Sequence, residues 1–177
     1  MKKIFLTLMV MVAAVAANAQ VWVGGSLGFW ANSDAEYSET KRSLNISPEV
    51  GYDLSENWSV ALVLEYSSFK AEGFNVMDGF AVAPYVRYNV IKSGNFKLFF
   101  DGGFEIGTVS GGDEDYSTWN VGIKPGVSYS LSEKFSIVGH MGFLGYQDAD
   151  KEIANAIQRG FGFDFSNEMT FGIYYAF

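Results

Sequence analysis

The chain predicts an all-β fold: eight antiparallel strands closed into an up-and-down barrel that crosses a membrane. Three observations carry that reading. The three prolines each open the same five-residue phrase: Pro48 to Tyr52, Pro84 to Tyr88 and Pro125 to Tyr129. A degenerate fourth copy runs from Phe171 to Tyr175. The copies recur about every 36 to 46 residues, the length of a long hairpin with its loops. In each copy apolar residues fall on one parity and small or polar ones on the other, which marks a strand with one greasy face. Finally, short and long connectors alternate along the chain, the asymmetry of small membrane barrels.

The strands follow from period-2 alternation bounded by turn chemistry, at 21–31, 43–53, 58–69, 79–90, 96–109, 117–130, 135–146 and 165–177. Short connectors fall at Asp53–Asn57, Ile91–Asn95 and Ser130–Lys134, and longer acidic ones at 32–42, 70–78, 110–116 and 147–164. On the third strand Trp58, Val60, Leu62, Leu64 and Tyr66 share a face opposite Ser59, Ala61, Val63, Glu65 and Ser67. The fifth sets Phe96, Leu98, Phe100, Phe104 and Ile106 against Lys97, Phe99, Asp101, Gly103 and Glu105. The sixth sets Trp119, Val121, Ile123, Pro125, Val127 and Tyr129 against Asn120, Gly122, Lys124, Gly126 and Ser128. Each greasy face is roughly the nine to eleven residues that cross a bilayer at a tilt.

The competing reading is a soluble barrel with the greasy parity inside. Two features weigh against it. The polar parity is glycine and serine with scattered charge, a poor aqueous surface but a good filling for a narrow barrel. The greasy parity is also sorted by depth. Tyr52, Tyr88, Tyr129 and Tyr175 end the even strands, while Trp58, Phe96 and Phe135 begin the odd ones, forming a girdle at one interface. Tyr66, Phe80, Trp119 and Phe143 would form the other. Proline lacks the N–H a ladder needs, so Pro48, Pro84 and Pro125 are expected at bulges of equal height.

Residues 1–19 read as a cleaved secretory leader: Lys2 and Lys3, an apolar run from Ile4 to Ala17, and small residues up to Ala19. Cleavage after Ala19 leaves 20–177 as one barrel domain. Without Lys2 and Lys3, Lys+Arg falls from 12 to 10 against 20 Asp+Glu, a net charge of −10. An acidic chain with no basic run argues against nucleic acid as a partner. Cysteine is absent, so the sheet and not disulfides must hold an exported chain together. Aromatics at 17% and 20 glycines against only 18% charged residues are odd for a soluble domain of this size.

With these features the mature chain resembles the small outer-membrane barrels of the OmpA/OmpX type. The most specific part is the end, where Phe171, Ile173 and Tyr175 lead to Phe177. It is similar to the signal read by outer-membrane assembly machinery. The resemblance implies insertion from the periplasm into the outer membrane of a diderm bacterium, with outer-membrane lipid and that machinery as partners. It implies little about activity, because the fold hosts adhesins, envelope-stabilising proteins, small pores and a few lipid-modifying enzymes. The chain stops at the last strand, so no wall-binding domain is expected.

The inward parity carries Glu49, Glu65, Asp101, Glu105 and Glu168 with Arg87, Lys97, Lys124 and the lone His140. Charges in a narrow lumen must pair or meet water. A packed plug is favoured over a gated conducting path, because eight strands leave room only for side chains or one small ligand. If Tyr129 pairs with Phe135, His140 lies opposite Lys124, a basic pair and not a catalytic arrangement. Ser136 on the same face is about 13 Å from His140, beyond hydrogen-bond reach. The acidic stretches Gly111–Asp115 and Asp148–Glu152 match no EF-hand and read as solvated loop tips. Lys151–Gln158 has helical spacing. No cofactor, metal centre or enzyme activity is expected. The expected role is structural or interactive, through acidic external loops that meet a partner outside. A narrow ion or small-solute channel is the alternative, and a lipid-directed enzyme ranks third.

Overall fold

The computed structural model describes residues 20–33, 40–71, 74–111, 114–151 and 159–177. The leader, Glu152 to Gln158, and Gly112 and Asp113 of the acidic stretch therefore lie outside the described residues. Eight strands follow one another: β1 (Val21–Ser33), β2 (Thr40–Asp53), β3 (Trp58–Ala71), β4 (Phe74–Ser93), β5 (Phe96–Gly111), β6 (Glu114–Ser130), β7 (Phe135–Ala149) and β8 (Gly160–Ala176). Each pairs antiparallel with its neighbours and β8 returns to β1, closing the barrel in sequence order. Closure satisfies the edges that an open sheet would leave, except in the upper part of the β1–β8 seam, where pairing ends at Ser26 and Gly172.

All eight expected strands form, and most run further than expected. β4 has 20 residues, about twice what a bilayer requires. The connections expected at 32–42, 70–78 and 110–116 shrink to 34–39, 72–73 and 112–113, and β8 begins at Gly160, not 165. A greasy face need run only as far as the bilayer does. Backbone pairing does not stop there, because the ladder needs only N–H and C=O groups.

At the lower rim the girdle residues pair across strands. Val21 faces Tyr52, Trp58 faces Tyr88, Phe96 faces Tyr129 and Phe135 faces Tyr175. Trp58 packs on Tyr88 at 4.6 Å between ring centres, and Phe135 on Tyr175 at 5.0 Å. The two Leu-Ser-Glu turns are built alike. In the first, Leu54 and Ser55 N–H donate to the Trp58 carbonyl, and Ser55 Oγ accepts from Trp58 N–H at 3.2 Å. In the second, Leu131 and Ser132 donate to the Phe135 carbonyl, and Ser132 Oγ accepts from Phe135 N–H at 3.1 Å. The β4–β5 turn is tighter than expected: Ser93 pairs with Phe96 around Gly94, at φ 58°.

The prolines are not bulges. Register runs unbroken past Pro48 and Pro84, which pair with Gly25 and Leu62 on the preceding strands. What each lacks is a ladder partner on the following strand: pairing skips Ser47 and Pro48 toward β3, and Ala83 and Pro84 toward β5. Pro125 repeats the pattern, paired with Phe100 on β5 and unpaired toward β7. The missing N–H thus always faces the next hairpin. A register shift does open beside Pro125, but the extra residue is on β7, between Met141 and Phe143, where Gly142 takes φ 73°. That bulge swaps the faces of the rest of β7. Phe143, expected in the upper girdle, turns inward and is buried, and Tyr146 points outward to stack on Trp119 at 5.4 Å. Tyr66, Phe80 and Trp119 face outward as expected.

The core lies inside the barrel around Trp22, Phe99, Val138 and Tyr174. Inward glycines make it possible. A Cβ on Gly51 would collide with the Trp22 ring, one on Gly24 with Tyr174, and one on Gly126 with Phe99. Small residues on one strand give space to rings from the next, as narrow barrels require.

Candidate functional site

The lower half of the lumen is closed by a single guanidinium and what surrounds it. Arg87 on β4 stands directly across from Asp101 on β5, because the register pairs their Cα atoms. Two parallel bonds result, Nε to Oδ1 at 2.7 Å and Nη2 to Oδ2 at 2.8 Å. Asp101 Oδ2 also lies 2.8 Å from His140 Nε2, reached across the barrel wall from β7. Arg87 Nη2 donates to the Tyr85 hydroxyl at 2.9 Å, and Tyr85 donates in turn to Glu49. The second Glu49 oxygen accepts from Tyr174. One chain of bonds thus ties β2, β4, β5, β7 and β8 together.

Rings enclose the charge. Phe99 lies flat against the guanidinium at 3.9 Å, with Tyr85 and Trp22 at 5.3 and 5.4 Å. Trp22 stacks on Tyr174 at 4.9 Å and donates from its indole N–H to Asp53. Phe99 is wholly buried, and Asp101, Arg87 and Glu49 are 5%, 7% and 8% exposed. Desolvating a guanidinium and two carboxylates costs several kcal/mol each. The bidentate geometry, the tyrosine donors and the ring faces offset that cost.

Above this knot the lumen opens into a cavity of about 770 Å³. Glu65, Glu105, Lys124 and Asn120 line it, and His140 and Asp101 form part of its floor. Glu105 makes no hydrogen bond or ion pair among the described residues, and Lys124 meets only the face of Phe143, at 5.9 Å.

Of the charges expected inward, Glu49, Arg87, Asp101 and His140 form the knot, while Glu65, Glu105 and Lys124 line the cavity. Lys97 stands apart near the lower rim, opposite Ser128, and joins no ion pair among the described residues. The side chain of Glu168 lies outside the described residues. His140 does not face Lys124. It pairs with Gly126, because the β6–β7 turn closes on Leu131 and Phe135 and places Tyr129 across from Ile137. A turn two residues tighter than assumed moved the histidine from a base to an acid. Sequence reasoning also missed Trp22, Tyr85 and Tyr174 as parts of the closure. The Tyr174–Tyr175 doublet carried the signal, since alternation must turn one of the two inward.

Phe171 and Ile173 point outward, each 64% exposed, and Tyr175 packs edge-on to Phe177 at 5.1 Å.

The outer membrane protein beta-barrel domain model matches residues 4–176. Among solved structures, the N-terminal β-barrel domain of Pseudomonas aeruginosa OprF is similar, with a TM-score of 0.56 at 14% identity over 90% of this chain and 98% of that one. The P. aeruginosa outer membrane protein OprG is similar too, with a TM-score of 0.50 at 13% identity over 90% of this chain and 97% of that one. At such identities the likeness is one of fold. No curated protein sequence matches the chain.

Proposed function

The chain belongs to the outer membrane protein β-barrel domain family, and on that premise we propose that it is a closed barrel whose work is done at its outer face. The barrel anchors and spaces its acidic external connections, which meet a partner outside the cell. It does not pass solutes and does not catalyse. Export through the leader with cleavage after Ala19, and recognition of Phe171, Ile173, Tyr175 and Phe177 by the assembly machinery, belong to the same reading.

One observation supports it above the others: the Arg87–Asp101 clamp, capped by Phe99 and held by Tyr85, Glu49 and His140, fills the lumen's lower half. Against catalysis stands the engagement of His140. Its Nε2 is taken up with Asp101 and lies 3.3 Å from Arg87 Nη2, and among the described residues no hydroxyl hydrogen-bonds to it.

The test is planar-bilayer conductance of the purified protein, with its faster migration unheated than boiled on a denaturing gel as proof of folding. A silent bilayer is expected from the native chain and discrete openings from Arg87→Ala. Openings from the native chain would favour the narrow channel instead. That alternative has one observation of its own: with a cavity above the knot, a single layer of side chains shuts the path.

A further inference from the structure

The wall of the barrel is not equally closed all round. β5 and β6 pair along their full length, from Phe96 and Tyr129 to Gly111 and Glu114. Between β1 and β8 pairing runs from Trp22 and Ala176 only to Ser26 and Gly172, although both strands continue. It stops beside Phe171, the residue that stands in the fourth repeat where proline stands in the other three. There the ladder does not resume. The cavity reaches this seam, because Ser26, Leu27, Gly28, Thr170, Phe171 and Gly172 all line it. Apolar side chains flank it loosely: Leu27 and Phe171 are 71 and 64% exposed.

Backbone groups left unpaired at this depth are costly against hydrocarbon, and open backbone is tolerated where it borders a polar cavity. The seam therefore joins two solvents, the polar vestibule inside and lipid outside. The vestibule holds charges of both signs with room between them. Glu105 faces Asn120, and Lys124 lies four residues further along the same strand, about 13 Å in rise. Their side chains close part of that distance. Lys124 is also level with the end of the seam. It lies five residues from the girdle residue Tyr129, as Ser26 does from Val21.

We propose that the vestibule and the β1–β8 seam together form a binding site for a single-chain amphiphile with a zwitterionic head. The head's ammonium meets Glu105, its anionic group meets Lys124, and the acyl chain leaves through the gap beside Leu27 and Phe171 into the membrane. An opposite arrangement of charge would strand both side chains. A tail without a polar head would leave both unpaired in the cavity.

The experiment is native mass spectrometry of the full protein in a sugar-headed detergent, with a lysophosphatidylethanolamine as probe and a carboxylate-headed amphiphile of equal chain length beside it. A one-to-one adduct is expected with the zwitterion. Glu105→Gln and Lys124→Met should each weaken it about ten- to a hundred-fold, the loss of one charge-assisted bond. A Leu27→Cys/Phe171→Cys pair, once oxidised, should abolish the adduct, and reduction should restore it. If that pair fails to bridge, Gly28→Phe decides. A Cβ there meets only Asn45 at 3.6 Å, so the ring fills the gap without forcing the backbone. No zwitterion adduct in the native protein, equal binding of the carboxylate, or an adduct unmoved by closing the seam would each overturn the proposal.

Discussion

The two halves of the lumen share one alternating pattern and end differently. Below, inward glycines face rings: Gly51 lies under Trp22, Gly24 under Tyr174 and Gly126 under Phe99, and the space is filled. Above, Gly122 and Gly145 give room to the Phe143 ring in the same way, but Gly28 faces Asn45 with ordinary space, and the cavity remains. Below, β1 and β8 pair from Trp22 and Ala176 to Ser26 and Gly172. Above, β1 and β8 part. What separates plug from vestibule is therefore how many rings gather at one level of the lumen, Trp22, Tyr85, Phe99 and Tyr174 below against Phe143 above, not polarity. Both halves carry charges. The lower half packs its guanidinium against four rings, at 3.9 to 5.6 Å, whereas Lys124 above meets the face of Phe143 at 5.9 Å.

The sharpest break of that contrast is at the clamp. Asp101→Ala should leave Arg87 buried without its carboxylate and lower stability by about 3–5 kcal/mol, read as the midpoint of urea unfolding. Glu105→Ala in the vestibule should lower it by less than about 0.5 kcal/mol, the usual range for a site without such partners. Equal losses would mean that the upper charges are also structural.

The next test uses glycine. Gly126→Ala forces a methyl into Phe99 and should cost about 1–3 kcal/mol, whereas Gly28→Ala should be near neutral. A neutral Gly126→Ala would show that the lower core can relax. A smaller effect belongs to the two like turns. Ser55→Ala and Ser132→Ala each remove a hydroxyl that accepts from two backbone N–H groups and should cost a similar amount, about 0.5–1.5 kcal/mol. The surface pair of Lys92 and Glu56, at 3.1 Å, should be worth about 1 kcal/mol or less, fading in salt.

Much of this was legible. The girdle set, Tyr52, Tyr88, Tyr129 and Tyr175 with Trp58, Phe96 and Phe135, could be named because alternation fixes the face of every residue. The one pairing drawn from it, Tyr129 with Phe135, does not form: Tyr129 pairs with Phe96 and Ile137, and Phe135 with Tyr175. The inward set followed from the same parity, and Glu49, Arg87 and Asp101 do meet. What parity cannot give is the neighbour across a turn of uncertain length. His140 was paired with Lys124 on a turn two residues too long, and it meets Asp101. Nor can parity foresee a bulge. Gly142 reads in sequence like any inward or outward glycine, yet its positive φ turned Phe143 into the lumen and Tyr146 out of it.

Sequence alone determined the number of strands, their order, their greasy and polar faces and the rim where aromatics gather. Those are consequences of local period and composition, which each strand carries by itself. Tertiary structure decided which charges became a knot, which stayed in a cavity, and where the wall stopped pairing. Those depend on register between strands and on the volume of residues facing one another across the lumen, quantities that exist only once the barrel has closed.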